Sequence, residues 1–238
     1  MKVMDASELY DPEFRELIKS KKPTVIIPVG SLEQHGAHLP ITTDSDIVME
    51  IASRLAKKCG FIVFPTISYG VSFEHDPLFN TSIATITLKK VLSDIVSSLQ
   101  DNNIGSIIFL NGHHGNEDTF RRMVKYGIDG VSRQKVIPRY LAYWRFMEHE
   151  FDHAGFVETS IMLAISDKVK MKKAKKGFTT KGLSEEEIQR IKKLSTERGG
   201  FPKVAKNGVW GDPTGATKKD GEKFLAEIVR NLAKECQT

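Results

Sequence analysis

Apolar positions along the chain fall into two alternating patterns. Short runs rich in β-branched and aromatic residues, at 24–29, 61–65, 105–110 and 136–141, are apolar on both faces, as strands covered on both sides require. Between and after them, apolar residues recur at helical spacing. Phe14, Leu17 and Ile18 mark a helix between residues 5 and 22, with Pro12 near its start. Ile47, Ile51 and Leu55, with Val48 and Ala52, mark a second helix that Gly60 ends, and Asp44 or Ser45 is placed to cap it. Val91, Leu92, Ile95 and Leu99 give a third over 87–102, and Phe120, Val124 and Ile128 a fourth. Further helices are expected over 156–165, 185–194 and 218–234, and the alternating residues 82–86 read as one more strand. Regular alternation of strand and helix predicts a three-layer α/β/α sandwich with a largely parallel sheet, as a single domain over 1–238.

In such sheets ligands bind beyond the carboxyl ends of the strands. The chain places its polar chemistry there twice. The first strand runs directly into Gly30-Ser31-Leu32-Glu33-Gln34-His35-Gly36-Ala37-His38-Leu39-Pro40, followed by Asp44; the 105–110 strand runs into Asn111-Gly112-His113-His114-Gly115-Asn116. Glu33 and His35 are two residues apart, so on extended backbone their side chains project to one side. A carboxylate can bridge two cations through its two oxygens, whereas a neutral imidazole binds one cation through one nitrogen. Carboxylate and imidazole without thiolate suit Zn, Mn or Fe(II). The alternative for these residues is a hydrogen-bonded polar loop whose acids cap turns.

Composition narrows the class. With 40% hydrophobic and 27% charged residues, an ordered globular protein is expected. Residues 1–10 hold no basic region followed by an apolar core, and no later run approaches the roughly 18 apolar residues of a membrane span, so a cytoplasmic protein is expected. Cys59 and Cys236 are too few for a disulfide framework or thiolate site. The net charge of +5 is local: residues 168–181 carry seven Lys and no acid, leaving −2 for the rest. That segment reads as a solvated loop or strand edge, with a phosphorylated ligand or RNA as the alternative; no membrane or nucleic-acid partner is expected.

Four segments in order, 30–40 with Asp44, Asn111-Gly112-His113, Phe156-Val157-Glu158-Thr159-Ser160, and Gly211-Asp212-Pro213 with Ala216-Thr217, resemble the creatininase (creatinine amidohydrolase) family. The resemblance implies a hydrolase of small amides, lactams or formamides that cleaves a C–N bond with a metal-bound hydroxide, using two divalent metal ions. It implies that Glu33, Asp44 and His113 hold one ion and His35 and Asp44 the other, with Asp44 as the bridge. Creatininases proper complete the second site with a glutamate two residues after the motif histidine. Here that position is Gly115, and Glu158 is the acid placed to complete it. His153 matches the family's histidine five residues before Glu158 and is the expected proton donor to the leaving amine. Trp144, His114 and Gly112 are expected on the substrate side.

Creatininases hold the creatinine ring with two tryptophans. Only the first, Trp144, has a counterpart here, so creatinine itself is disfavoured. Shorter members that resemble this chain include archaeal formylaminopyrimidine nucleotide deformylases and the peptidase of mycofactocin maturation. The family's ring-like assemblies imply a homo-oligomer. A non-catalytic metal- or nucleotide-binding protein is the reading from another class. His75 and His149 are expected at the surface, and His38 near the ligands without binding metal.

Overall fold

The computed structural model describes residues 4–128, 136–150 and 152–237. Five strands, β1 (Met4–Asp5), β2 (Thr24–Val29), β3 (Ile62–Val63), β4 (Ser106–Asn111) and β5 (Arg139–Ala142), form one sheet in the order β1-β3-β2-β4-β5. Every pairing is parallel, and β2 and β4 match residue for residue from Thr24↔Ser106 to Val29↔Asn111. Eight α-helices, with six short 3-10 turns, accompany the sheet among the described residues: α1 (Asp11–Lys21), α2 (Thr43–Cys59), α3 (Thr85–Asp101), α4 (Glu117–Tyr126), α5 (Phe156–Ile165), α6 (Glu185–Ser195), α7 (Phe201–Val204) and α8 (Lys218–Gln237).

The period-two geometry of the strands divides their side chains between two cores. Ile26, Ile108 and Leu110 face one side, with Ile47, Ile51 and Leu55 of α2, Val157 and Ile161 of α5, and Leu225, Ile228 and Leu232 of α8. Val25, Ile27, Val29, Ile107 and Phe109 face the other, with Ile18 of α1, Leu88, Leu92 and Val96 of α3, and Phe120 and Met123 of α4. This is the expected α/β/α sandwich. The chain leaves β2 for a helix on the first face and leaves β4 for a helix on the second. The connections of these adjacent strands therefore diverge, opening a crevice between their carboxyl ends.

Several local expectations are corrected. Residues 82–84 are not a strand, because Ile83 N–H bonds to Gly70 O at 2.9 Å rather than to a neighbouring strand, and helix α3 already starts at Thr85. The buried face of α3 runs Leu88, Leu92, Val96 and Leu99, while Val91 is exposed; on α4 Met123 is buried in place of Val124. Asp44 and Ser45 lie inside the first turn of α2, whose N-cap is Thr42. All seven lysines of the 168–181 segment are exposed. None of the described helices is long and apolar enough to cross a membrane.

Candidate metal centre

Loop backbone pins the first cluster in place. Glu33 N–H bonds to Ile41 O at 3.1 Å and Gln34 N–H to Phe79 O at 2.8 Å, so residues 33–34 run as a short extended piece. Glu33 and His35 thereby address one buried space and are 0% and 1% exposed. Asp44 enters from the first turn of α2, which can approach β4 closely because position 112 lacks a side chain: a Cβ on Gly112 would fall 2.6 Å from Val48 Cβ and 2.8 Å from Asp44 O. His113 follows β4 directly, with its N–H on Asn111 Oδ1 at 3.1 Å. Glu158 is fully buried on α5, an otherwise apolar helix.

The two oxygens of Asp44 serve different neighbours. Oδ1 lies 3.1 Å from His35 Nε2, and Oδ2 lies 2.9 Å from His113 Nδ1. Ser31 donates its hydroxyl to Oδ2 at 2.7 Å and so fixes the carboxylate's rotation. Around His35 the set continues with Glu158 Oε2 at 3.6 Å; around His113 it continues with Glu33 Oε2, 3.2 Å from Nε2. Among the described residues four donor groups are close enough to hold an ion: Glu33–Asp44–His113 and His35–Asp44–Glu158, which share Asp44, and Glu33–His35–His153 and Glu33–Glu74–His75 at their edge.

Each imidazole also has one nitrogen against a backbone carbonyl. His35 Nδ1 is 3.1 Å from Glu33 O, and His113 Nε2 is 2.8 Å from Val71 O. A ring whose N–H is held by a carbonyl presents its other nitrogen as a fixed lone pair, the arrangement metal-ligating histidines adopt. Ligand bonds of about 2.0–2.2 Å place neighbouring donor atoms about 3.0–3.6 Å apart, which the spacings around His35 Nε2 and between His113 Nδ1 and Asp44 Oδ2 match.

The residues fit a cation on a second ground. Both oxygens of Glu33 and Oε1 of Glu158 are buried without a hydrogen-bond donor. An unpaired buried carboxylate is costly unless a positive charge faces it. Protonation shifts express the same surplus of acid. Burial works to lower the pKa of His35, but Asp44 and then Glu158 and Glu33 lift it to about 10. Burial likewise opposes protonation of His113, whose pKa nevertheless stands well above the usual value because of Glu33 and Asp44. Asp44 is held well below the usual carboxylate range, against its burial, by His35 and His113. Glu158 is pushed up to about 8, first by burial.

The remaining candidates fall around this core. His153 pairs its backbone with Trp210 on both sides, through N–H to O at 3.1 Å and O to N–H at 2.8 Å. Its ring lies 4.3 Å from that of His35, and Nδ1 is 3.8 Å from Glu33 Oε1. Burial and the charges of His35 and His75 hold its pKa well below the usual imidazole value. The carboxylate of Asp152 is not an ion-pair partner for it but bonds to Val157 N–H at 2.9 Å and Glu158 N–H at 3.3 Å, tying down the start of α5. His38 Nε2 is 2.9 Å from Thr159 Oγ1, and His38 belongs to none of the ligand triads. His114 stacks on Trp144 with ring centroids 4.1 Å apart, and His149 is exposed as expected.

One expectation fails outright. His75 is not a surface residue: it is 2% exposed, with Nε2 only 3.0 Å from Glu33 Oε1. Glu74, also buried, places Oε1 3.5 Å from His113 Nε2. The available signal was positional. Glu74 and His75 sit in the loop that follows β3, the same kind of strand end that carries the other two clusters. Nor does the space at Gly115 open on His35. A Cβ there would lie 2.5 Å from His113 Nε2 and 2.7 Å from Glu74 Oε1.

The model of the creatininase family, described as creatinine amidohydrolase, matches residues 7–236. The chain belongs to the creatininase family. It is 34% identical over 228 residues to the mycofactocin precursor peptide peptidase of Mycolicibacterium smegmatis, covering 91% of this chain and 85% of that protein. It is 31% identical over 153 residues to the 2-amino-5-formylamino-6-ribosylaminopyrimidin-4(3H)-one 5'-monophosphate deformylase of Methanosphaera stadtmanae, with 62% of each covered. A crystal structure of creatininase shares the fold, with a TM-score of 0.78 at 23% identity over 99% of this chain and 97% of that one. The similar structures include a zinc form and a manganese form of creatininase. Creatininase-family members are hydrolases acting on amide and formyl C–N bonds, and this chain is a metal-dependent amidohydrolase of that family.

Proposed function

We propose that this chain holds two divalent ions, Zn, Mn or Fe(II), and hydrolyses an amide of a small peptide-like substrate. The observation that carries the reading is the division of Asp44 between two ligand triads, Oδ1 toward His35 and Oδ2 toward His113. Glu33, Asp44 and His113 would hold one ion, and His35, Asp44 and Glu158 the other. When bound, such a pair activates water at neutral pH and polarises the carbonyl under attack.

His153 is the residue assigned to proton movement. Its Nε2 is 3.0 Å from Gln34 O and 3.1 Å from Gln34 Nε2, and Nδ1 is the nitrogen on the side of the acid cluster, 3.8 Å from Glu33 Oε1. Because burial keeps this imidazole neutral, it accepts a proton first and then delivers it to the departing nitrogen. Phe201 covers the rings of His75 and His153 at centroid distances of 4.5 and 4.8 Å, and its apolar face limits water at the reacting centre.

A peptide amide is favoured over creatinine by the extent of likeness to the peptidase and by the state of Trp144. One face of its indole is already covered by His114, so at most the other is left for a flat ring. We assign Trp144, His114 and the backbone at Gly112 to the rim that meets substrate. The test is to load the protein with Zn, Mn or Fe(II) and assay cleavage of short peptides, formamides and creatinine. Metal-dependent cleavage of peptides with no turnover of creatinine is expected. Turnover of creatinine alone, or none of the three, would overturn the assignment.

Metal uptake should also depend on pH in a defined direction. Without metal, Glu158 keeps its proton up to about pH 8 and His35 up to about 10. The raised pKa of His113 means that it too is protonated at neutral pH. Incoming ions must displace all three protons, so affinity rises with pH through neutrality, with roughly three protons released per chain at pH 7. Calorimetry in buffers of different ionisation enthalpy measures that release; uptake without proton release would contradict the ligand assignment.

A further inference from the structure

The turn Phe73–His75, in the loop after β3, reaches both outer sides of the Glu33–Asp44–His113 group. His75 Nε2 stands 3.0 Å from Glu33 Oε1, close enough for an electrostatic contact, with the ring N–H off the line between them. The orientation of that ring is set by a chain of contacts. Gly36 N–H bonds to Gln34 Oε1 at 3.0 Å, which fixes the amide's direction, and Gln34 Nε2 then donates to His75 Nδ1 at 3.0 Å. With Nδ1 accepting, the ring proton sits on Nε2, the nitrogen on the Glu33 side. In this tautomer that nitrogen offers a positive edge to the carboxylate and no lone pair to a cation.

The same loop grips His113. Val71 O is 2.8 Å from His113 Nε2, and Glu74 Oε1 is 3.5 Å from the same nitrogen. Asn116 Oδ1 accepts from Val71 N–H at 3.0 Å while its Nδ2 donates to Gly30 O at 3.0 Å, binding the loops after β2, β3 and β4 together. Gly115 leaves the space into which the Val71–Glu74 stretch reaches. No positive φ demands a glycine there, yet a Cβ would collide first with Val71 O and would also meet His113 Nε2 and Glu74 Oε1 below 3.0 Å. Both oxygens of fully buried Glu33 lack an aligned donor, so the pocket this loop encloses is built to hold a positive charge.

We infer that Glu74 and His75 are positioning residues for one of the two metal ions, His75 orienting Glu33 and Glu74 orienting His113, with Gly115 required to admit the Val71–His75 loop that carries them. This rests on the two-metal reading. Outer partners of metal ligands are typically worth about 10–100-fold in affinity.

The test measures both ion affinities by chelator competition, and the absorption spectrum of the Co(II)-loaded protein, in wild type, His75→Phe, His75→Gln and Gly115→Ala. His75→Phe keeps a ring but no donor, and should weaken one ion about 10–100-fold and alter the Co(II) bands while leaving the other ion unchanged. His75→Gln, whose amide can still donate, should recover most of the loss. Gly115→Ala should weaken the same ion as His75→Phe. Should a variant fail to fold, ring ¹⁵N spectra of the wild-type protein report the tautomer directly: Nε2–H on His75 is expected, and Nδ1–H overturns the proposal. Unchanged affinities and spectrum in His75→Phe, or no recovery in His75→Gln, overturn it while leaving the two-metal reading intact. A wild-type chain that takes up no ion defeats both.

Discussion

Asp44→Ala is expected to remove both metal ions and to lower kcat/KM by about 10³–10⁴-fold, a loss of about 4–6 kcal/mol of transition-state stabilisation. Asp44 is the side chain that the Glu33–Asp44–His113 and His35–Asp44–Glu158 groups share. Its removal also leaves Ser31 Oγ without its carboxylate acceptor. Activity and bound metal should therefore fall together. A variant that lost activity while retaining two tightly bound ions would show Asp44 acting on the substrate rather than as the bridge.

Glu158→Gln should separate the two ions. Glu158 belongs to the His35 triad alone, so the ion there is lost and the one at Glu33 and His113 stays. Hydrolysis should fall about 10²–10³-fold, the cost of removing one electrostatic partner from the reacting centre. The loss cannot be blamed on the fold. Burial raises the carboxyl pKa to about 8, so at pH 7 the metal-free protein already carries a neutral group there, which glutamine copies. The folded chain binds that proton more tightly than the unfolded one, so this group favours folding below pH 4.5 and loses that contribution as pH rises through about 8. Thermal midpoints of the metal-free wild type and variant at pH 7 should agree. A large drop in the variant would contradict the protonation state.

The sequence was most informative where one residue type obeys one geometric rule. Strands β2 and β4 are apolar on both faces, and that pattern carried the parallel sheet, the two-sided core and the position of the ligand-bearing loops. Glu33, His35, Asp44 and His113 were legible because they follow those strands directly and match a family motif. Glu158 was legible as an acid on an apolar helix, though only the fold shows it beside His35. What periodicity misses is long-range. Residues 82–84 alternate like a strand but have no strand beside them, and His75 looks solvent-exposed until the loop after β3 folds over Glu33. Trp210, far from His153 in sequence, pairs with it through backbone, and the ring of Trp210 lies 6.5 Å from Phe201 over the site. Such contacts depend on which loops share a sheet end, and no local spacing encodes that.

The measurement that bears most directly on the two-metal reading is an anomalous difference map from crystals of the wild-type protein soaked in Zn or Mn. Two peaks about 3.5–4 Å apart are expected. Each should lie about 2.0–2.2 Å from a different oxygen of Asp44, one beside His35 and Glu158 and the other beside Glu33 and His113. A single peak, or peaks that do not touch Asp44, would contradict it.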